Sequence, residues 1–286
     1  MPEVVDSICQ MYADDTKIFY PVDSKQSGEQ LQQDLDNLVK WSHKWQLRFN
    51  AGKCKVLHLG RSNQEYTYCM KDHGSDKIEN LESSEGEKDL GILVDHELKF
   101  SRHVETQVNK ANKILGMVRR SYQYLDGETL RMLFTALIRP HLEFANVAWS
   151  PRYQKDKDLI EGVLRRASKM VPGLKNMCYE DRLKSMKLPS MEYRRQRGDM
   201  IETYKYMQGM YKVENIFELD DKCATRGHPY KIKKQRCLTN LRQHFFTCRV
   251  TNTWNSLPEE VVTAPNLQTF KNRLDKLWTE RKYNVN

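Results

Sequence analysis

Tyr12-Ala13-Asp14-Asp15 sets two adjacent carboxylates behind an aromatic ring, between the mainly apolar runs 4–11 and 16–22. Divalent metals that handle phosphates are bound through oxygen. One or two protein carboxylates usually suffice, with substrate and water filling the shell. Two such ions can clamp the attacking and leaving oxygens of a phosphoryl transfer. Neighbouring residues of a strand point to opposite faces. Asp14 and Asp15 can therefore share a metal only at a turn, and a two-metal site needs a further carboxylate from an adjacent strand. The same tetrapeptide also suits an ordinary hairpin turn, where Asp is favoured because its side chain bonds the local backbone.

The elements that would position this pair follow from periodicity. Residues 4–22 read as a β-hairpin with residues 13–15 at its tip. An amphipathic helix is expected from Ser27, as N-cap, to Leu47, with Leu31, Leu35, Leu38, Val39 and Trp45 recurring at helical spacing. Trp41 and Trp45, four apart, read as helix packing. Asn50-Ala51-Gly52 is a turn, 54–59 a strand, 61–88 a loop or small hairpin, and 89–94 another strand. Beyond residue 100 the pattern is helical, with helices expected over 101–124, 128–149 (interrupted near Pro140), 156–171 and 190–211. Residues 218–240 are basic and loop-rich. A compact tail follows, with Phe245, Phe246, Val250, Trp254, Leu257, Phe270, Leu274, Leu277 and Trp278 as its expected core. The fold class is therefore α+β, mixed in front and helical behind.

Composition narrows the function classes. The formal charge of +9 is unevenly spread: residues 1–100 hold 12 Lys/Arg against 18 Asp/Glu, and residues 101–286 hold 35 against 20. An acidic front ahead of a basic body suits a metal-using site backed by a nucleic-acid surface, and equally suits helices with solvated basic faces. No apolar run is long enough to span a membrane, and the start lacks the features of a secretory signal. Seven scattered cysteines argue for reduced thiols. An intracellular protein of cytoplasm or nucleus, without membrane partners, is expected. Cys223, His228, Cys237, His244 and Cys248 contain no Cys-x2-Cys unit and do not read as zinc ligands. His58 and His141 read as structural.

The ordered blocks then carry a resemblance. MYADDTKIF, LQQDLDNLVKWSHKWQLRFNAGKCKVLHLG, EKDLGILVDHELKFSRHV, ANKILGMVRRSY, LIRPHLEFANVAWSP, IEGVLRRASKMVPGL, MEYRRQRGDMIETYKYMQG and FFTCRVTNTWNSLPEEVVTAPNLQTFKNRLDKLW resemble reverse transcriptases of non-LTR, jockey-like LINE retrotransposons. The resemblance covers nearly the whole chain. It implies a partial polymerase palm with a primer-gripping hairpin over 1–100, a helical thumb over 101–172 and a basic helical C-terminal extension over 173–286. It implies that Asp14 and Asp15 hold Mg²⁺ or Mn²⁺ and that Tyr12 braces the hairpin near the primer end. Leu90-Gly91 would grip the primer. Lys53 would protonate departing pyrophosphate, a role its ammonium suits; without the resemblance it is a solvated turn lysine. Arg119, Arg120, Arg165, Arg166 and Lys169 would meet template or primer phosphates. Arg194, Arg195 and Arg197 read either as phosphate contacts of the same kind or, like Arg165, Arg166 and Lys169, as plain solvated faces. The implied partners are an RNA template, a DNA primer and dNTPs.

In the same family a second catalytic aspartate lies on a strand upstream of the hairpin, and residues 1–11 have no room for it. Losing such a ligand removes several kcal/mol of transition-state stabilisation, on the order of a thousandfold in rate. The hairpin is also expected to present an open sheet edge. Three readings stay open: an RNA-directed DNA polymerase fragment inactive by itself, a non-catalytic module binding RNA or RNA–DNA hybrid, and a translated remnant with no retained role.

Overall fold

The computed structural model describes residues 2–60, 62–71, 77–213, 216–220 and 227–284. It is mixed α and β, with helices predominating, and divides into two compact units, Met1–Leu98 and Lys99–Asn286.

The first unit begins with an antiparallel hairpin, β1 (Ile8–Tyr12) and β2 (Asp15–Phe19), in the register Ile8↔Phe19 to Tyr12↔Asp15. Helix α1 (Lys25–Trp45) follows. Its N-cap is Ser24, not Ser27. Ser24 accepts from the Ser27 N–H while the Ser27 hydroxyl takes the Ser24 N–H, a reciprocal cap that moves the start forward. A 3₁₀ turn (Ala51–Lys53) leads into β3 (Lys55–Leu57). Then come β4 (Cys69–Lys71), β5 (Ile78–Asn80), β6 (Glu82–Ser84), β7 (Gly86–Asp89) and β8 (Ile92–Asp95). Pairing is β3 with β6 in parallel, and β4 with β5 and β7 with β8 antiparallel, so the described strands form four two-stranded ladders. The strand expected over 89–94 is thus two strands joined at Leu90-Gly91. Polarity hid this, because β7 reads Gly-Glu-Lys-Asp.

The core of this unit is small. Leu35 and Val39 of α1 meet Ala51, Tyr68, Met70 and Leu81, with Ile18 of β2 packed against them. Gln32 clips α1 to β4, donating to the Cys69 carbonyl and accepting from its N–H, both at 2.9 Å. Gly28 lets the Tyr66 ring lie on α1, since a Cβ there would sit 2.7 Å from the ring. Trp41 and Trp45 do contact, with ring centroids 6.2 Å apart, but Trp45 is exposed and caps no core.

In the second unit the apolar stripe that spacing predicts for α2 (Ser101–Ser121), Val104, Val108, Ala111, Ile114, Leu115 and Val118, is buried except for the half-buried Ile114. The helix expected over 128–149 is broken into α3 (Gly127–Leu133), a π-helical turn (Phe134–Ile138), α4 (Arg139–Glu143) and α5 (Asn146–Trp149). Pro140 has no N–H to offer the preceding turn, which widens in response. α6 (Gln154–Ser168) packs on α2. α7 (Tyr179–Met186), too short and polar to stand out by periodicity, packs on α3 and α6. α8 (Met191–Met207) lies against α6 and receives the tail: α9 (Asn240–His244), α10 (Phe246–Arg249), α11 (Thr251–Asn255), α12 (Glu259–Val262) and α13 (Leu267–Leu277).

The tail core joins Met200 and Tyr204 of α8 to Phe246, Val250, Trp254, Leu257, Phe270, Leu274 and Trp278. Phe245 and Leu277, expected in this core, face solvent. Each neighbours a residue that takes the inward position, Phe246 and Trp278, so the helical phase excludes it. Trp254 donates to the Tyr230 carbonyl at 2.8 Å, and Asn255 bonds both backbone groups of Ile232 at 2.8 Å, which pins the basic loop onto α11.

One buried base makes this unit acid-sensitive. His103 is 2% exposed and meets the Trp149 ring edge-on at 4.9 Å. Burial, with a smaller contribution from the Lys110 charge, pushes its pKa down to about 4. The unfolded histidine titrates near 6.5, so between these values the unfolded chain binds the extra proton and stability falls as pH falls. The expected loss from pH 7 to pH 4 is up to about 3 kcal/mol for this residue. Urea denaturation at both pH values should show it, and His103→Phe should flatten that part of the profile.

Candidate functional site

The β1–β2 hairpin closes through the two-residue turn Ala13-Asp14, with Ala13 held at φ +53°. A left-handed alanine costs about 1–2 kcal/mol, so the turn stores strain beside the carboxylates. Tyr12 and Asp15 are cross-strand partners on the same face as Ile8, Lys17 and Phe19. Cys9 and Ile18 share the opposite, half-buried face, and Ile18 meets the α1 core. The Tyr12–Asp15 face is open: Tyr12 is 66% exposed, and Ile8 and Phe19 are exposed beside it. Asp14 and Asp15 are both exposed, and neither has a hydrogen-bond or ion-pair partner among the described residues.

The hairpin is held at its other end. Asp34, wholly buried on α1, accepts the Asp6 N–H at 3.1 Å, the Ser7 N–H at 2.8 Å and the Ser7 hydroxyl. This anchor was not identified from sequence. The signal was present, because Asp34 falls between Leu31, Leu35 and Leu38 on the apolar side of α1, where an acid needs a partner.

A second turn is tied to the first. Lys17 of β2 forms an ion pair with Asp89 at 2.5 Å, and Asp89 immediately precedes Leu90-Gly91. Leu90 has φ +45° and Gly91 φ +92°, the two left-handed residues of a type I′ hairpin turn. Glycine adopts this freely, whereas a bulky leucine does not. Leu90 is also 48% exposed, so burial does not offset the strain. Leu90→Asn, which suits this turn, is expected to stabilise the chain by about 1 kcal/mol. Chemical denaturation checks it, and an unchanged midpoint would show that the leucine is not strained.

Lys53 ends the 3₁₀ turn, its N–H bonded to the Asn50 carbonyl at 3.0 Å. Its ammonium is exposed, and no hydrogen bond or ion pair joins it to Asp14 or Asp15. Arg119 and Arg120 are exposed in the last turn of α2, where cations suit the helix dipole. Arg165 stacks on the Tyr179 ring at 4.3 Å. Arg166 reaches across to α2, donating twice to Asn112 Oδ1 at 2.9 and 3.2 Å. Lys169 caps α6 in solvent.

Arg194, Arg195 and Arg197 are not a solvated basic face. Arg194 forks onto Glu143, and Arg197 onto Asp275 at 2.5 and 2.8 Å. Arg195 is buried. These arginines fall at positions where α8 meets other elements, a distinction that charge spacing alone does not carry. Glu161 is a further hidden group, accepting from the Tyr179 hydroxyl at 2.6 Å and the Met191 N–H at 2.9 Å, with its pKa raised by burial. Of the histidines and cysteines weighed for zinc, His228 bonds the Trp254 carbonyl at 3.1 Å and His244 the Asn240 carbonyl at 2.9 Å. Cys223 lies outside the described residues. The six described cysteines are free thiols.

Asp14 and Asp15 supply two exposed carboxylates, the kind of oxygen donor a hard divalent cation takes. A closed two-metal site needs more, and among the described residues no group of three or more His, Cys, Asp or Glu side chains gathers to hold a metal. No helix among the described residues is long and apolar enough to cross a membrane.

The chain is 27% identical over 129 residues to the RNA-directed DNA polymerase from the mobile element jockey of Drosophila funebris. That stretch covers 42% of this chain and 13% of the relative. It is also 23% identical over 139 residues to an uncharacterized protein of Caenorhabditis elegans, covering 48% of this chain and 70% of that protein. The chain thus spans a small part of the length of the jockey protein it matches. No family model matches, and no solved structure matches.

Proposed function

We infer from the partial likeness to the jockey polymerase that the chain has an origin related to retrotransposon reverse transcriptases. We propose that the chain is part of an RNA-directed DNA polymerase of this non-LTR type and that, by itself, it grips a primer–template duplex without extending it. The observation that carries this reading is the pairing of the two strained turns. An exposed Lys17–Asp89 ion pair links the hairpin of the Asp14-Asp15 tip to the strand before Leu90-Gly91 within one unit, with unpartnered carboxylates on one turn and an exposed apolar side chain on the other. Carboxylates left free and solvent-facing are available to a cation and to phosphate-bearing substrate.

Each group has a role it can perform. Asp14 and Asp15 would hold Mg²⁺ or Mn²⁺, which when bound neutralises phosphate charge during nucleotidyl transfer. Tyr12 and Leu90 offer flat or apolar contact to a primer end. Lys53, exposed and mobile on its stem, would reach phosphate only once substrate is present. Arg119, Arg120 and Lys169 remain free for backbone phosphates, and Arg165 and Arg166 could join them by releasing Tyr179 and Asn112. Two carboxylates leave the cation shell short of a second protein strand, which argues for binding without chemistry.

In a primer-extension assay with Mg²⁺ or Mn²⁺, no dNTP incorporation is expected. Incorporation that Asp14→Ala abolishes would instead make the chain an active polymerase. RNA–DNA hybrid should bind with an affinity that falls linearly with the logarithm of salt concentration. Hybrid binding that is absent or insensitive to salt would leave only the reading of a remnant without retained function.

A further inference from the structure

A cavity of about 380 Å³ opens in the second unit between residues 150–157, α8, α10–α11 and the C-terminal turn. Arg195 lines it. This side chain is 5% exposed, its guanidinium makes no hydrogen bond to any described residue, and its Nη1 is fully buried without a partner. A guanidinium presents five donors and is seldom left unmatched in an interior. The carboxylates around it do not absorb these donors. Glu161 already accepts from Tyr179 and the Met191 backbone, and Asp199 is taken on both oxygens by Arg249 at 2.8 and 2.9 Å.

The rest of the wall carries more cations than anions, Lys157, Arg249 and Arg281 against Glu192 and Asp199. Lys157 and Arg281 line the same cavity and form no ion pair among the described residues. Against Arg195, Lys157 and Arg281 stands one carboxylate without an ion-pair partner, Glu192, which accepts only a long 3.4 Å bond from Gln196. Ser150 and Thr253 add hydroxyl groups at the rim. A buried guanidinium with its Nη1 unpartnered, two further cations and two hydroxyl groups match a tetrahedral oxyanion.

We propose that this cavity is a phosphate-binding site, with Arg195 as its buried anchor and Lys157 and Arg281 as its outer cations. The phosphate is either one unit of a nucleic-acid backbone or a free phosphate. The site lies wholly within residues 150–281 and does not depend on the hairpin chemistry.

The test uses the full chain, with orthophosphate as probe. Melting is followed in orthophosphate against chloride at matched ionic strength, for the native chain, for the double variant Lys157→Ala/Arg281→Ala and for Arg195→Lys. The outer variants sit near the surface and leave the core intact, so they decide the matter even where Arg195→Lys misfolds. Phosphate should raise the melting temperature of the native chain, and calorimetry should show at least tenfold weaker binding in the double variant. Arg195→Lys keeps the charge but loses the fork, and should also weaken binding. Equal melting in the two salts, or a phosphate effect that the double variant retains, overturns the proposal.

A second arm identifies the source. If the phosphate belongs to a nucleic-acid backbone, the double variant lowers the salt-dependence slope for RNA–DNA hybrid by about one. If hybrid binding is unchanged while orthophosphate binding is lost, the site takes a free phosphate. Should the native chain bind no hybrid at all, the proposed function fails, while the orthophosphate result still judges this site.

Discussion

Asp34→Ala destabilises the first unit by about 3 kcal/mol and loosens the Asp14-Asp15 hairpin without touching it. The Asp34 carboxylate is fully buried, and three donors from Asp6 and Ser7 converge on it. Charge-assisted hydrogen bonds contribute roughly 1.5–3 kcal/mol each, and removing the acceptor strands the buried Ser7 N–H and hydroxyl. These contacts join the start of β1 to the middle of α1. The opposite attachment of the hairpin, Lys17–Asp89, is exposed and contributes little, about 0–1 kcal/mol. The hairpin therefore depends on Asp34. For a unit of this size the melting temperature should drop by on the order of 15 °C. Ser7→Ala, which removes one donor and leaves the carboxylate bonded to two N–H groups, should cost about 1 kcal/mol. Amide exchange at Ser7 and along β1 should accelerate in Asp34→Ala before exchange in α1 does. A loss below about 1 kcal/mol would mean that the hairpin is held by its side chains rather than by this anchor.

Arg249→Ala is expected to cost the second unit about 4 kcal/mol. Its guanidinium forks onto Asp199 at 2.8 and 2.9 Å and also donates to the Val147 carbonyl at 2.9 Å and the His244 carbonyl at 3.2 Å. One side chain thereby ties α10 to α8, to α5 and to the end of α9. Both members of the pair are largely buried, with side-chain exposures of 14% and 11%. Removing one partner leaves a buried carboxylate uncompensated, which is more costly than losing the pair together. Melting should fall by on the order of 12 °C. Asp199→Ala should be comparably severe, and the double variant less destabilised than the sum of the two. Additive effects in that cycle would show that the ions act independently and that Arg249 works through its carbonyl contacts.

The open face of the hairpin bears on the Asp14-Asp15 turn. Ile8, Tyr12 and Phe19 lie on it with Asp15, and all three are exposed among the described residues. Such a row of apolar side chains on a two-stranded ladder invites association with another strand. The Asp15 carboxylate and these exposed apolar residues thus share one face of the hairpin.

Much of this architecture was legible in the residues. The stripes Leu31-Leu35-Leu38-Val39 and Val104-Val108-Ala111-Leu115-Val118 recur at helical spacing, so α1 and α2 were readable. The Asp14-Asp15 tip was readable because a short polar pair interrupts two strand-like runs. Pro140 marked a break. The boundary errors came from local competition: Ser24 rather than Ser27 caps α1 because the reciprocal bond needs both serines, and Leu90-Gly91 became a turn because a polar β7 pairs with β8. Helix α7 has too few residues for a periodic signal.

The sequence by itself determined where the long helices α1, α2, α6 and α8 run, that the front is acidic and the body basic, and which short segment offers paired carboxylates. These depend on residue type and on spacing within a few turns, which the chain carries locally. The tertiary structure decided which charges are free. Arg194, Arg197 and Arg249 are consumed by Glu143, Asp275 and Asp199, residues 51, 78 and 50 positions away. Arg195 is buried with donors to spare, and Asp14 and Asp15 stay open. A charge run reads the same whether its members face water, a distant partner or a cavity. Only long-range packing sets the desolvation and the partner that separate the three.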